Sequence, residues 1–283
     1  MAALYLRGVP RPIQPSRRRW SRVASCIRCA DCDFSLFPEV LRANGLWEEA
    51  IVLETLDVVE FVLERYDRNA VVTAVDPLYP RLWLEKLGDG APPALWIRGT
   101  LPDKPLLGIV GSRHIEEAVR GFAEQIGRES VRLGYSVVSG GAAGCDQAGV
   151  HGALLEGGQA VNILPAGLRS FGFDGNDEEG ACCLSVCAPE ETFTTGTAME
   201  RNALIYAAAD ASVIAHARFK QGGTWIGSVE AIRRKLCPMI VREDESQASR
   251  ALIGLGGTPI TYPGLLGEAM SKPPSQRGLF GIG

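Results

Sequence analysis

The sequence predicts an α/β fold: a doubly wound, mostly parallel Rossmann-like sheet with a small N-terminal helical region. Three observations carry this. Between residues 106 and 241, short and continuously apolar runs of strand length alternate with helical segments. Such runs are the pattern of strands covered on both faces. Three glycine-rich or small-residue turns fall where strands give way to helices: Gly111-Ser112-Arg113, residues 139–144, and Gly222-Gly223-Thr224. Finally, 33 glycines stand against nine Phe and six Tyr, which suits tight strand-to-helix turns better than an aromatic-rich β sandwich.

The elements follow in order. From residue 38 to 66 the apolar positions Val40, Leu41, Leu46, Ala50, Ile51, Leu53, Leu56, Val59 and Val62 recur at helical spacing, with Gly45 as a break between two helices. Residues 71–75 predict a strand, after which Asp76-Pro77 and Tyr79-Pro80 stop regular structure. Strands are expected at 106–110, 135–138, 159–164, 182–186, 211–215 and 238–241. Helices are expected after the Gly111-Ser112-Arg113 turn to about 133, and at 146–155, 199–208 and 222–235. The organisation is a basic leader (1–37), a helical region (38–70), the Rossmann-like domain (71–245) and an extension with a flexible tail (246–283).

A chain of 283 residues is one large domain, or one with an appendage, at roughly 150 residues per domain. Its 46% apolar and 22% charged residues are ordinary for a globular protein and exclude wholesale disorder. No run approaches the roughly 18 apolar residues of a membrane span, so no membrane association is expected. Even the apolar stretch 204–217 is broken by Asp210 and His216. A net charge of −4 excludes nucleic-acid binding by bulk electrostatics; any such contact needs a local patch.

Residues 1–30 hold seven arginines and no Asp or Glu, a segment that repels itself and has little to bury. An organelle transit peptide, a nucleic-acid-binding arm and translated sequence upstream of the true start all fit it; the last is the simplest. No signal peptide opens the chain, so a cytoplasmic, reducing setting is expected. Among eight cysteines, Cys145 and Cys237 read as small core residues. Cys26, Cys29 and Cys32 have metal-ligand spacing, and Cys182, Cys183 or Cys187 would be the fourth thiolate. No local fourth cysteine or second CxxC pair supports them, and no metal or cofactor is expected.

In doubly wound sheets ligands sit beyond the carboxyl ends of the strands, where helix N-termini present free N–H groups. Glycines there let backbone approach a phosphate, and Ser112, Ser139 and Thr224 add hydroxyls. Arg113, Arg201 and Lys220 are the neighbouring cations, and a guanidinium matches phosphate oxygens as a planar fork. The expected anion-binding set is Gly111, Ser112, Arg113, Ser139, Gly140, Gly141, Arg201, Asn202, Lys220, Gly222, Gly223 and Thr224. The sequence lacks a GxGxxG dinucleotide fingerprint, a P-loop and a GxSxG elbow, and offers no nucleophile–base pair. No catalytic residue is expected. His151 reads as a residue that packs or hydrogen-bonds within its own helix.

Taken together these residues resemble the DprA/Smf family of DNA-processing proteins. The likeness runs from Tyr79-Pro80-Arg81-Leu82 through residues 93–99, Gly108-Ile109-Val110-Gly111-Ser112-Arg113, and residues 139–146, which match an SGxAxGxD signature. It continues through His151-Gly152-Ala153-Leu154, residues 160–168, the Arg201-Asn202 pair, and residues 220–224 with Trp225, Glu230 and Ala231. Ala203 stands where a second arginine is usual, and no winged-helix domain is recognisable after residue 245. The resemblance implies an extended Rossmann-like domain that binds single-stranded DNA without catalysis. It also implies shielding of incoming strands in natural transformation and assistance in loading RecA. A homodimer would let a shallow site span more nucleotides.

Related families of the fold bind or split nucleotides with a PGGxGTxxE motif. Here the glutamate, Glu230, follows Thr224 by six positions rather than three, about a turn further round the helix. A nucleotide hydrolase, or a nucleotide-sensing defence protein, is the alternative. The tail residues Gln276, Leu279 and Phe280 resemble the Q-x-x-L-F peptide that docks on the bacterial sliding clamp, two apolar anchors on an extended arm.

Overall fold

The computed structural model describes residues 22, 23, 26, 37–46, 71–74, 76, 78–92, 94–170, 180–187 and 189–271. They divide into two compact units, one from the chain up to Arg98 with 166–172 and 185–192, the other from 99–165, 173–184 and 193–283.

The first unit holds α1 (Phe37–Ala43), β1 (Val71–Thr73), α2 (Arg81–Leu87) and β2 (Ala94–Arg98). α1 ends as the sequence predicts, two residues before Gly45, which takes a φ of 70°. The second helix expected at 47–66 lies outside the described residues. β1 and β2 pair antiparallel, Val72 opposite Leu95. Tyr79-Pro80 interrupts regular structure as the sequence predicts, and Pro80 is the extended N-cap from which α2 starts. The 94–98 stretch is a strand; Ala94, Leu95, Trp96 and Ile97 are all buried, so it shows no alternation. Tyr79 stacks edge-on against Trp83 and donates its hydroxyl to the Pro92 carbonyl.

The second unit follows the predicted alternation: β3 (Leu106–Gly111), α3 (Glu117–Arg132), β4 (Ser136–Ser139), α4 (Cys145–Leu155), β5 (Ala160–Leu164), β6 (Ala181–Ser185), α5 (Thr195–Ala208), β7 (Ala211–His216), α6 (Gly222–Arg234) and β8 (Met239–Arg242). The strand order is β6-β5-β4-β3-β7-β8, with β9 (Thr258–Ile260) at the far edge. Every pair from β5 to β9 is parallel. β9 and the helices α7 (Gln247–Gly254) and α8 (Leu266–Ser271) mean that ordered secondary structure continues past the expected boundary at 245. Their short lengths and the proline within β9 hide them from periodicity. α5 also begins four residues before the expected start, because Thr194 caps it: its hydroxyl accepts the Thr197 N–H while the Thr197 hydroxyl accepts that of Thr194.

The core lies between the sheet and α3 and α4, built from Leu107, Ile109, Val137, Val213 and Ile240 with Phe122, Ile126 and Ala153 from the helices. Cys145 is fully buried and Cys237 nearly so, as expected. Burial pushes the Cys145 thiol up to about 12, with the Asp146 carboxylate adding to it. Among the described residues no helix is long and apolar enough to cross a membrane. From β3 the chain winds to β4, β5 and β6 on one side and to β7, β8 and β9 on the other. The reversal therefore opens a crevice at the carboxyl ends of β3 and β7.

Candidate nucleic-acid interface

A cavity of about 500 Å³ occupies that crevice. Its walls come from the end of β3 (Gly111, Ser112, Arg113), the first face of α5 (Thr195 to Tyr206), and the β7–α6 turn (Arg218, Gln221 and Gly222 to Thr224). The sheet end is tied together locally. Ser112 donates its N–H to the His216 carbonyl at 3.1 Å, and its hydroxyl meets His216 Nδ1 at 2.8 Å. Burial lowers the His216 imidazole from its ordinary value, so it favours the neutral form. Thr224 Oγ1 donates to the Gly111 carbonyl at 2.9 Å, and Asn202 Nδ2 donates to the Gly223 carbonyl at 3.2 Å. These bonds hold the first turn of α6 against β3 and α5. Gln221, its N-cap, contributes no side-chain bond, so the N–H groups of that turn keep the partial positive charge of a helix N-terminus.

Two exposed cations stand at the rim. Arg113 lies over the ring of Phe193 at 5.3 Å, and Phe193 is itself 48% exposed. Arg218 is exposed on the opposite turn. Neither Arg218 nor Phe193 was singled out from the sequence. A lone arginine after a strand and a phenylalanine in a loop carry no pattern, and only the fold brings them to the mouth with Arg113.

Of the twelve residues expected to hold phosphate, eight line the cavity: Gly111, Ser112, Arg113, Arg201, Asn202, Gly222, Gly223 and Thr224. Ser139, Gly140, Gly141 and Lys220 are not among its walls. The Ser139 hydroxyl is buried and donates to the Ile109 carbonyl at 2.6 Å. The Gly140 N–H is taken by the Asp146 carboxylate at 3.2 Å. Lys220 is exposed, in the left-handed region at φ 55°, with Nζ 5.2 Å from the Phe219 ring, which packs edge-on to Trp225.

Arg201 is placed differently from the surface cation the sequence suggested. It is 4% exposed, and its Nη1 donates to the Ile163 carbonyl at 3.1 Å. The guanidinium occupies the space a Cβ at position 140 would fill, beside the Asp146 carboxylate. Burial raises the Asp146 carboxyl above the ordinary range, opposed by Arg201 and by the N–H groups of Ala142, Gly111 and Gly140. Burial lowers the Arg201 guanidinium, opposed by Asp146. Arg201 is therefore an internal tie from α5 to β5 through the Ile163 carbonyl, lying in the field of the Asp146 carboxylate.

Glu230 is exposed and paired with Arg234 at 2.9 Å, away from the cavity walls. His151 is exposed on α4. Cys26 is buried; Cys29, Cys32, Gln276, Leu279 and Phe280 lie outside the described residues, among which no three His, Cys, Asp or Glu groups are placed to hold a metal.

The family described as DNA recombination-mediator protein A matches residues 70–264. The chain belongs to that family. It is a family of recombination mediators rather than of enzymes. Protein Smf of Synechocystis sp. is 32% identical over 120 residues, covering 40% of this chain and 30% of that protein. The chain thus aligns with less than a third of that relative's length. The X-ray structure of DNA processing protein A from Streptococcus pneumoniae superposes with a TM-score of 0.74 at 20% identity, over 94% of this chain and 95% of that one. DNA processing protein A from Helicobacter pylori, in a structure describing its single-stranded DNA binding mode, gives 0.57 at 22% identity, over 69% and 92%. At these identities the structural likeness establishes the fold.

Proposed function

We propose that this chain binds single-stranded DNA along the cavity rim and acts in DNA uptake, natural transformation and recombination. The observation that carries this is the joint placement of Arg113 and Arg218 beside an uncapped helix N-terminus, with Phe193 exposed beneath Arg113. Cations and N–H groups hold backbone phosphates of any sequence, and an exposed ring offers a face on which a base stacks. With an overall charge of −4, binding of a strand depends on such a local patch rather than on bulk electrostatics.

Fluorescence anisotropy of labelled oligo-dT and of matched duplex across a salt series tests the proposal. Tight single-strand binding that weakens with salt and is lost in Arg113→Glu is the expected result. Arg113→Ala should also lower the slope of log K against log salt by about 0.7, the value of one single-strand phosphate. No binding at low salt overturns the reading.

Protection of the strand and assistance to RecA loading follow from the same role, in a cytoplasmic setting, with a homodimer doubling the strand length engaged. The Rossmann-like domain carries the site, and Gln276, Leu279 and Phe280 near the end of the chain are docking residues for the sliding clamp. A clamp pull-down lost in Leu279→Ala/Phe280→Ala supports the docking; an unchanged pull-down ends it.

A further inference from the structure

We infer that the cavity is also a receptor for a free nucleoside 5′-monophosphate, which competes with the strand for the site. The inference rests on the cavity's own chemistry, and on the strand-binding reading for the competition alone.

A phosphodiester passing over a surface needs cations and N–H groups but no hollow. This cavity holds about 500 Å³, within the roughly 300–1,000 Å³ of small-molecule sites. Its chemistry is divided. One side has the N-terminus of the 13-residue α6 with Arg113 and Arg218 at the rim. That is an environment for a dianion, and a phosphomonoester carries about −1.5 to −2 at neutral pH where a diester carries one charge. The other side has Met199, Ile205 and Tyr206 of α5, an apolar wall of the kind a nucleobase lies against.

Arg201 supplies the independent observation. It lines the cavity while 4% exposed, and although its Nη1 is bonded to Ile163, its Nε is buried without a hydrogen-bond partner among the described residues. A buried donor left unmet is costly, and native structures rarely keep one. A base carbonyl or ring nitrogen is an acceptor of the kind it lacks. Phosphate alone would leave the apolar wall uncovered, and a nucleoside alone would leave the cations unmatched. A nucleoside monophosphate answers both.

Calorimetric titration of the full chain with thymidine 5′-monophosphate, thymidine and inorganic phosphate, alongside displacement of labelled oligo-dT, tests this. The nucleotide should bind and displace the strand, with thymidine and phosphate each at least about tenfold weaker. Met199→Trp, which fills the cavity, should abolish nucleotide binding, and Met199→Leu should retain it, with thermal melts confirming that both fold. If Met199→Trp does not fold, the three-ligand comparison on wild type decides. A strand that binds while the nucleotide neither binds nor displaces it overturns the inference and leaves the strand-binding reading intact. Phosphate binding as tightly as the nucleotide also overturns it, because the cavity would then be a simple anion site. Nucleotide binding without strand binding upholds the receptor and overturns the strand reading, and the competition with it.

Discussion

The turn after β4 (139–144) and the turn after β7 that runs into the first residues of α6 (217–224) carry the same signal in sequence. Each follows an apolar strand, each is rich in glycine, and each has an arginine or lysine in reach. In the fold they differ. The first is satisfied from within: Ser139 bonds Ile109, Gly140 bonds Asp146, and the buried Arg201 guanidinium fills the notch over Gly140. The second keeps its donors for a ligand, with Gly222 at a φ of 74° opening an α6 whose N-cap makes no side-chain bond. A glycine-rich turn at a sheet edge is therefore an anion site only if the protein has not already supplied the anion. Here Asp146 is that anion on one side, and among the described residues no carboxylate is bonded to the N–H groups of the other.

The largest test of this difference is Arg201→Leu. It removes the positive charge that favours ionised Asp146 and leaves the Ile163 carbonyl without its charged donor, at an expected cost of about 3 kcal/mol in denaturant unfolding. A surface arginine lost from the rim would cost a fraction of that, so a small effect breaks the assignment of Arg201 to the interior. Arg201→Lys should recover little, since an ammonium cannot span the same partners.

A smaller contrast compares two glycines. A Cβ at Gly140 would overlap the Arg201 guanidinium and lie 2.7 Å from Asp146 Oδ2, so Gly140→Ala should cost about 1–3 kcal/mol. A Cβ at Gly223 meets only Asn202 Nδ2 at 3.1 Å, the movable end of a side chain. Gly223→Ala, inside a helix, should be neutral or stabilising by up to about 1 kcal/mol. Equal thermal melts for the two variants would contradict the asymmetry.

The smallest effect is pH-dependent and belongs to the open side. The His216 value is lowered in the folded protein, so the unfolded chain binds more protons as the pH falls below the ordinary histidine value of about 6.5. Its contribution to stability is complete above that value and is lost as the pH drops through the lowered folded value. Desolvation outweighs the opposing Asp244 and Glu116, while Arg242 and Arg218 reinforce it. Melting curves between pH 7.5 and 5 should show the loss in wild type and a shallower one in His216→Gln.

Much of this was legible from composition and spacing. The alternation of apolar runs and helices located six strands of the sheet to within a residue or two, because strands buried on both faces cannot hide their apolar character. β9 and α2 escaped, the first being three residues long with a proline and the second seven residues behind another. The edge on which a ligand sits was equally legible, since glycine after a strand is a local requirement of the turn. Whether that edge is open was not: His216 meets Ser112 across 104 positions, and Arg201 reaches the Ile163 carbonyl across 38.

By itself, then, the sequence determined the α/β alternation, the carboxyl edge and Arg113 as a cation on it, all consequences of local backbone geometry and hydrophobic period. Only the tertiary structure decided that Arg201 is buried and bonded to the Ile163 carbonyl, that Arg218 and Phe193 complete the rim, and that a cavity lies beneath them. Each of these depends on which residues distant in the chain become neighbours, and a charge buried beside its partner reads in sequence like one left in water.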